Sequence, residues 1–331
     1  MPTRILLAAL ALFLTSCSRP ETQQLIVYSG RSQALVDPLI RQFTATSGVR
    51  VDVRYGGTAE LAASLAEEGP RTSADLFWAQ DAGALGSVHE AGLLRPLPDS
   101  LLNAVAAAFR NRSGTWVATS ARARTLAYAP QRVDTAALPL SVFDLADARY
   151  AGRVGWAPTN GSFQAFVTGM RLLEGDDRTR KWLDEMKQND ARSYSNNTSI
   201  IQAIADGEID LGLPNHYYLH RFKSEDPSFP VEQTFFRAGD PGDLVNVAGV
   251  AVLSASEKPE LAERFIAFLL SDDAQEYFAR ETFEYPVVST ASAPPGLTSP
   301  ARLATLQPDV DLDDLRALEG TLEMLRDAGL L

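Results

Sequence analysis

From Leu25 onward, short runs rich in β-branched and aromatic residues alternate with longer amphipathic stretches. LIVYSG gives way to ALVDPLIRQFTATSG, VRVDVRYGG to TAELAASLAEEG, and ADLFWAQ to AGALGSVHEAG. The short runs predict strands and the longer periodic stretches predict helices. Their alternation predicts an α/β architecture, a mainly parallel sheet with helices on its faces. Local chemistry marks the helix ends: Thr58 is the expected cap of TAELAASLAEEG, and Gly48 and Gly92 are expected to stop two helices.

After TWVATSARARTLAYAP the alternation resumes with GRVGWAP, SFQAFVTGMRLLEG, RTRKWLDEMKQND, SIIQAIADGE and IDLGLPNHYYLHRF, which predicts a second lobe. VNVAGVAVLS, Val245 to Ser254, returns as a strand, and EKPELAERFIAFLLSDDAQEYFARE reads as one or two helices. A proline-rich segment from Ser289 to Pro300 leads to a helical tail. In open α/β sheets ligands bind beyond the carboxyl ends of the strands, where helix N-termini offer free N–H groups. The loops Ser29-Gly30-Arg31-Ser32, Gly56-Gly57-Thr58 and Gln80-Asp81-Ala82-Gly83 are therefore expected to line one wall of a cleft. Thr159-Asn160-Gly161-Ser162 and Ser195-Asn196-Asn197-Thr198 also open helices and bring amides and hydroxyls without charge, which suits an oxyanion or a metal-bound anion.

The length of 331 residues is too great for one small core and suits two lobes. A hydrophobic share of 45% with 22% charged residues excludes a disordered chain. The net charge of −12 lacks the electrostatic footprint of a nucleic-acid binder. The opening MPTRILLAALALFLTSC has a positive end at Arg4, an apolar core from Ile5 to Leu14, and a small-residue run before Cys17. Residues 1–16 thus read as a signal peptide. Leu14-Thr15-Ser16-Cys17 resembles the lipobox of bacterial lipoproteins, which implies acylation of Cys17 and a tether over 17–24. The expected location is the periplasm or cell surface, anchored to the membrane by lipid. With a single cysteine, disulfides and thiolate metal clusters are excluded.

The stretch PNHYYLHR, Pro214 to Arg221, holds the candidate chemistry. On a strand Tyr217 and Tyr218 would point to opposite faces. Pro214 and Asn215 commonly end a strand, which would let both phenols face the cleft. The competing reading is a pair of half-buried strand aromatics. His216 and His220 have the spacing that can chelate zinc on a helix, but no glutamate lies between them and no third histidine or cysteine stands nearby; a solvated or hydrogen-bonded pair is expected. His89 is expected at the surface. Arg122 and Arg124, two apart in a strand-like run, are expected to point the same way, as anion ligands or as a salt-bridged hinge. Asp81 reads as a helix cap or a carboxylate ligand. There is no G-x-S-x-G elbow, no H-E-x-x-H and no P-loop, so the chain is not expected to be an enzyme.

Read in order, IVYSGR, ADLFWAQDAGALG, ARAR, GRVGWAPTNGSFQAFV, SYSNNTSIIQAIADGEIDLGLPNHYYLHRF, GDPGDLVNVAGVAVL, AERFIAFLLSDDAQEYF and EYP resemble the ferric-binding proteins of bacterial ABC importers over nearly the whole mature chain. The resemblance implies a two-lobed periplasmic-binding-protein fold of type II with the ligand cleft between lobes joined by a β-strand hinge. Its expected divisions are 25–121 plus 246–295 for the first lobe, 122–245 for the second, and 296–331 for a tail packed on both. It implies that Tyr217 and Tyr218 bind Fe(III), with carbonate or phosphate held by Arg122, Asn160, Gly161, Ser162 and Asn197, and with Gln80 and Asn215 nearby. It also implies a monomer that delivers iron to an ABC importer permease. Where some members place a histidine and a glutamate ligand, this chain has Ser32 and Ala79; where others place a third tyrosine, it has Phe163. Anion or water must then complete the coordination. Two other readings use the same cleft: a receptor for an organic anion or phosphonate, and an extracytoplasmic enzyme.

Overall fold

The computed structural model describes residues 23–288 and 296–331. The expected signal peptide, Cys17, most of the tether and residues 289–295 of the proline-rich segment lie outside the described residues. Among the described residues ten strands form two five-stranded sheets. The first contains β1 (Gln24–Ser29), β2 (Arg50–Tyr55), β3 (Leu76–Ala79), β4 (Trp116–Ala123) and, at the end of the strand series, β10 (Val245–Val252), in the order β2-β1-β3-β10-β4. The second is built from β5 (Leu126–Tyr128), β6 (Val154–Trp156), β7 (Arg192–Ser193), β8 (Leu211–Gly212) and β9 (Glu232–Thr234), in the order β7-β6-β8-β5-β9. In each sheet the strands joined by helices run parallel, β1 with β2 and β3, and β6 with β7 and β8. The strands that link the sheets pair antiparallel to their neighbours.

The first sheet is covered on both faces, so β3, β4 and β10 are buried along their whole length. Trp78 packs edge-on against Phe265 and Phe278 there, and Trp156, Phe163, Phe166 and Trp182 form the matching aromatic cluster of the second lobe. The first sheet keeps Ala123 and resumes at Val245, so the chain crosses between sheets at Arg124–Thr125 and again between Thr234 and Val245. The crossings are stitched together: the Arg124 amide donates to the Leu244 carbonyl at 3.0 Å and the Thr125 amide to that of Pro214 at 3.0 Å.

Gly48 stops its helix in the left-handed region at φ 72°, its amide donating to Thr44. Gly92 closes the turn after helix Ala82–Glu90 at φ 70°. Thr58 departs from expectation. Gly57 is the N-cap, its amide held by the Glu60 carboxylate at 3.3 Å, while the Thr58 hydroxyl accepts from the Gln80 amide at 3.3 Å and so ties two cleft loops together. The tail touches both lobes. Its short helix Leu312–Arg316 lies so close on helix Ala82–Glu90 that a Cβ at Gly86 would sit 2.5 Å from the Asp313 carbonyl oxygen. Its last helix, Leu318–Asp327, meets helix Gly161–Glu174 through Thr321 and Thr168, hydroxyl to hydroxyl at 2.7 Å.

Candidate functional site

Strand β8 ends at Gly212, and helix His216–Glu225 starts with Asn215 extended at its N-cap. The expected break at Pro214–Asn215 is present. Tyr217 and Tyr218 fall in the first helical turn, where successive side chains diverge by about 100° instead of the opposite directions of a strand. Their rings stack at 4.3 Å with 30° between planes, and the Arg221 guanidinium lies over both, 4.9 and 5.6 Å from the centroids. Tyr217 is buried and Tyr218 half-buried. Burial, and then the adjacent Tyr218, push the Tyr217 phenol well above its ordinary value, further than nearby Arg122 pulls it down.

The opposite edge of this patch is made by two helix starts. Asn160 caps helix Gly161–Glu174: its Oδ1 accepts from the Ser162 amide at 3.0 Å and the Ser162 hydroxyl at 2.6 Å. The same oxygen accepts from Asn197 Nδ2 at 3.4 Å, and Asn197 Oδ1 takes the Asn215 amide at 3.0 Å. A chain of amides therefore joins the two helix starts to the start of the tyrosine helix. A Cβ at Gly161 would meet nothing within 4 Å, so this edge is open at its first helical residue.

Arg122 and Arg124 are close enough for their charges to interact, but they bond to different lobes. Arg122 Nη2 donates to the Gln80 carbonyl on the first lobe at 2.5 Å, whereas Arg124 reaches the Leu213 carbonyl and, at 3.2 Å, the Ser162 hydroxyl on the second. Phe163 and Phe166 lie against the Arg124 guanidinium, at 5.5 and 5.0 Å. Burial pushes Arg124 down to about 9, against the upward pull of Tyr217 and Tyr218. Among the described residues neither arginine has a carboxylate within salt-bridge distance, and Arg122 Nη1 and Arg124 Nε are buried without a hydrogen-bond partner. The salt-bridged hinge is therefore not found; partnerless buried guanidinium N–H groups fit an anion seat.

A second buried group escaped the sequence reading. Arg31, 1% exposed, donates to Gln80 Oε1 at 2.8 Å and forms a two-pronged pair with Glu284 at 3.0 and 2.7 Å. The Ser120 hydroxyl adds a bond of 2.5 Å to the same carboxylate. Burial pushes the Glu284 carboxyl up, but Arg31, Arg122 and Ser120 together hold it below the usual range. With Gln80 Oε1 taken, its N–H pair is what that residue offers a ligand. Arg31 lies in the Ser29–Ser32 loop already assigned to the cleft. Glu284 carried no local signal, because its partner is 253 positions away.

The remaining candidates take structural roles. Ser32 is exposed at a helix N-cap, Ala79 is buried in β3, and Phe163 belongs to the aromatic core. Asp81 caps its helix, accepting from the Ala84 amide at 2.9 Å. His89 is partly buried and bonded to the Thr115 hydroxyl at 3.0 Å, not a free surface group. His216 is fully buried, pushed down to about 3 chiefly by that burial, with both ring nitrogens engaged by Ala123 and Phe283. His220 contacts the Gln233 amide at 3.1 Å. With both nitrogens of His216 committed, the pair cannot chelate zinc. Among the described residues no three His, Cys, Asp or Glu side chains cluster as metal ligands.

Residues 71–310 match the profile of a family described as bacterial extracellular solute-binding protein. The chain is 33% identical to the major ferric iron-binding protein of Neisseria meningitidis serogroup B, with both chains covered in full. It is 30% identical to the Fe(3+)-binding periplasmic protein of Serratia marcescens, with all of this chain and 97% of that one covered. Among solved structures, iron-bound HitA from Pseudomonas aeruginosa is 34% identical over 93% of this chain and all of that one, with a TM-score of 0.83. A Trichodesmium protein in complex with iron and citrate is 26% identical over the same shares, with a TM-score of 0.81.

Proposed function

The chain belongs to the ferric-binding proteins of the bacterial extracellular solute-binding family, and on that premise we propose that it captures Fe(III) through Tyr217 and Tyr218 with a synergistic anion. Members of this family are solute-binding proteins, not enzymes, which removes the enzymatic reading. The observation that carries the proposal is the stacking of two adjacent phenols in one helical turn, within electrostatic reach of Arg122, whose Nη1 lacks a partner.

Fe(III) is a hard cation that favours anionic oxygen, and phenolate supplies it. Binding expels the phenolic protons, so affinity falls as pH falls, by about tenfold per pH unit for each proton displaced. Two phenolates and a divalent anion more than neutralise a trivalent ion, and Arg122 offsets the excess. Carbonate or phosphate sits between Arg122 and the starts of helices Gly161–Glu174 and Asn197–Ala205, with Asn160, Ser162, Gln80 and Asn215 at its edges. The lobes close over the ion about the two crossings, and the protein passes it to an ABC importer permease. Acylated Cys17 holds it, as a monomer, at the membrane surface.

The test strips the purified protein of iron and titrates it with chelated Fe(III), with and without carbonate or phosphate. A visible phenolate-to-iron charge-transfer band that strengthens with the anion is expected. A colourless protein that binds phosphonate equally well without iron would instead favour the organic-anion receptor.

A further inference from the structure

His216 has one arrangement of hydrogens that satisfies its surroundings. The Ala123 amide, at the end of β4, donates to Nδ1 at 3.2 Å, so that nitrogen carries a lone pair. Nε2 then carries the hydrogen and donates it to the Phe283 carbonyl at 2.8 Å. The ring of Tyr285 lies flat on the imidazole at 3.9 Å with 14° between planes. The backbone of Tyr285 is fixed in turn, exchanging bonds of 2.8 and 2.9 Å with Ala121. Between these two contacts, Glu284 takes Arg31 and Ser120.

Three consecutive residues are thus committed in two directions. The Phe283 carbonyl and the Tyr285 ring hold the first residue of the tyrosine helix, and the Glu284 carboxylate holds the wall that carries Arg122. Phe283 has φ 57°, a left-handed conformation that a bulky residue rarely adopts. Strain of that kind persists only where the surroundings fix it, and here the strained peptide aims its carbonyl at His216.

We propose that His216 is a positioning residue for the tyrosine pair. Clasped between β4 and the segment Phe283–Tyr285, it fixes the first helical turn so that Tyr217 and Tyr218 already converge, at a set distance from Arg122, before iron arrives. This rests on the reading of the two tyrosines as iron ligands. An imidazole suits the task because it is rigid and presents one acceptor and one donor at fixed separation, and both are used up. Groups that hold metal ligands in place typically affect affinity by roughly 10–100-fold when lost.

The test compares the purified full chain with His216→Phe, which keeps a flat ring against Tyr285 but loses both hydrogen bonds, and with His216→Gln, which keeps a donor and an acceptor. The readouts are the wavelength and intensity of the phenolate-to-iron band, iron affinity by chelator competition, and the melting temperature without iron. The expected result for His216→Phe is a shifted, weaker band and an affinity reduced roughly 10–100-fold. His216→Gln is expected to recover most of both. A His216→Phe protein with wild-type band and affinity overturns the proposal. So does a pair of variants that lose affinity only in proportion to melting temperature, with the band unmoved. If His216→Phe does not fold, Tyr285→Leu removes the stacked ring alone: a shifted band supports the clasp and a wild-type band overturns it. A wild-type protein without the band refutes tyrosine ligation itself, a failure seen before any variant is compared.

Discussion

Arg122 carries an imbalance that a ligand would correct. It is buried, one of its nitrogens lacks a hydrogen-bond partner, and the nearby Glu284 is already paired with Arg31. Burying a cation without full compensation is costly, and replacing it by an apolar side chain of similar length is often neutral or stabilising. Arg122→Met is therefore expected to leave the melting temperature of the iron-free protein unchanged or raised, while carbonate or phosphate no longer enhances iron binding. Calorimetry and iron titration with and without anion check this; an anion effect of wild-type size would remove Arg122 from the seat. At this scale the adjacent pair Tyr217 and Tyr218 stood out in the sequence by type, whereas a role for it and for Arg122 came only with the family resemblance. Arg31 and Glu284 were not, since an ion pair across the chain leaves no trace in local spacing. Arg124 was paired with Arg122 by spacing, but the sequence could not show that the two bond to different lobes, Arg122 to Gln80 and Arg124 to Leu213 and Ser162.

The helix starts and the second crossing do the positioning at the level of elements. Asn160 serves as cap and as the junction of the amide chain, two roles that substitution can separate. Asn160→Ala is expected to cost about 1 kcal/mol of stability in chemical denaturation, the ordinary value of a lost cap. Asn160→Asp keeps the accepting oxygen and hence the cap, but sets a negative charge beside the anion, so stability should hold while the anion effect on iron binding falls. Equal loss of stability in both variants would contradict the cap assignment.

The turn Pro241–Asp243 gives the second crossing its own pH dependence. Burial, with Asp240 alongside, pushes the Asp243 carboxyl up to about 8 against the pull of the Phe236 amide, and Arg237 reaches only Asp240, at 3.7 Å. A carboxyl that holds its proton more tightly when folded favours the folded state at low pH, and that advantage is lost as pH rises from about 4 to about 8. Asp243→Asn removes the slope, so its melting temperature should gain on the wild type as pH rises through that window; parallel curves would contradict this. The sequence predicted these loop-to-helix junctions, because Asp81 reads as a cap and the loop Thr159–Ser162 as a helix opening, although the capping role of Asn160 itself came only with the structure. It placed the start at Thr58 but gave the cap to that residue, whose hydroxyl is used across the cleft, and it could not resolve strands as short as Leu211–Gly212 within the run IDLGLPNHYYLHRF.

For the whole molecule, the alternation of strands and helices was enough to foresee two α/β lobes, since strands that form a sheet alternate with the helices that cover it. How the lobes are joined was less accessible, because the contacts that join them are between residues distant in sequence. His216 reaches Phe283, the tail lies on helices of both lobes, and the first crossing is pinned to Leu244 and Pro214. These contacts place the tyrosine helix at the joint, where the proposed function has both halves grip the ion. The measurement that tests this most directly is an iron titration in the presence of phosphate, followed by visible absorbance and by radius of gyration from X-ray scattering. It is made on the wild type, Tyr217→Phe, Tyr218→Phe and the double variant. In the wild type the charge-transfer band and a compaction should develop together and saturate at one iron per chain. Each single variant should lose most of both signals and the double variant all of them. A double variant that still turns coloured and still compacts with iron would contradict the account.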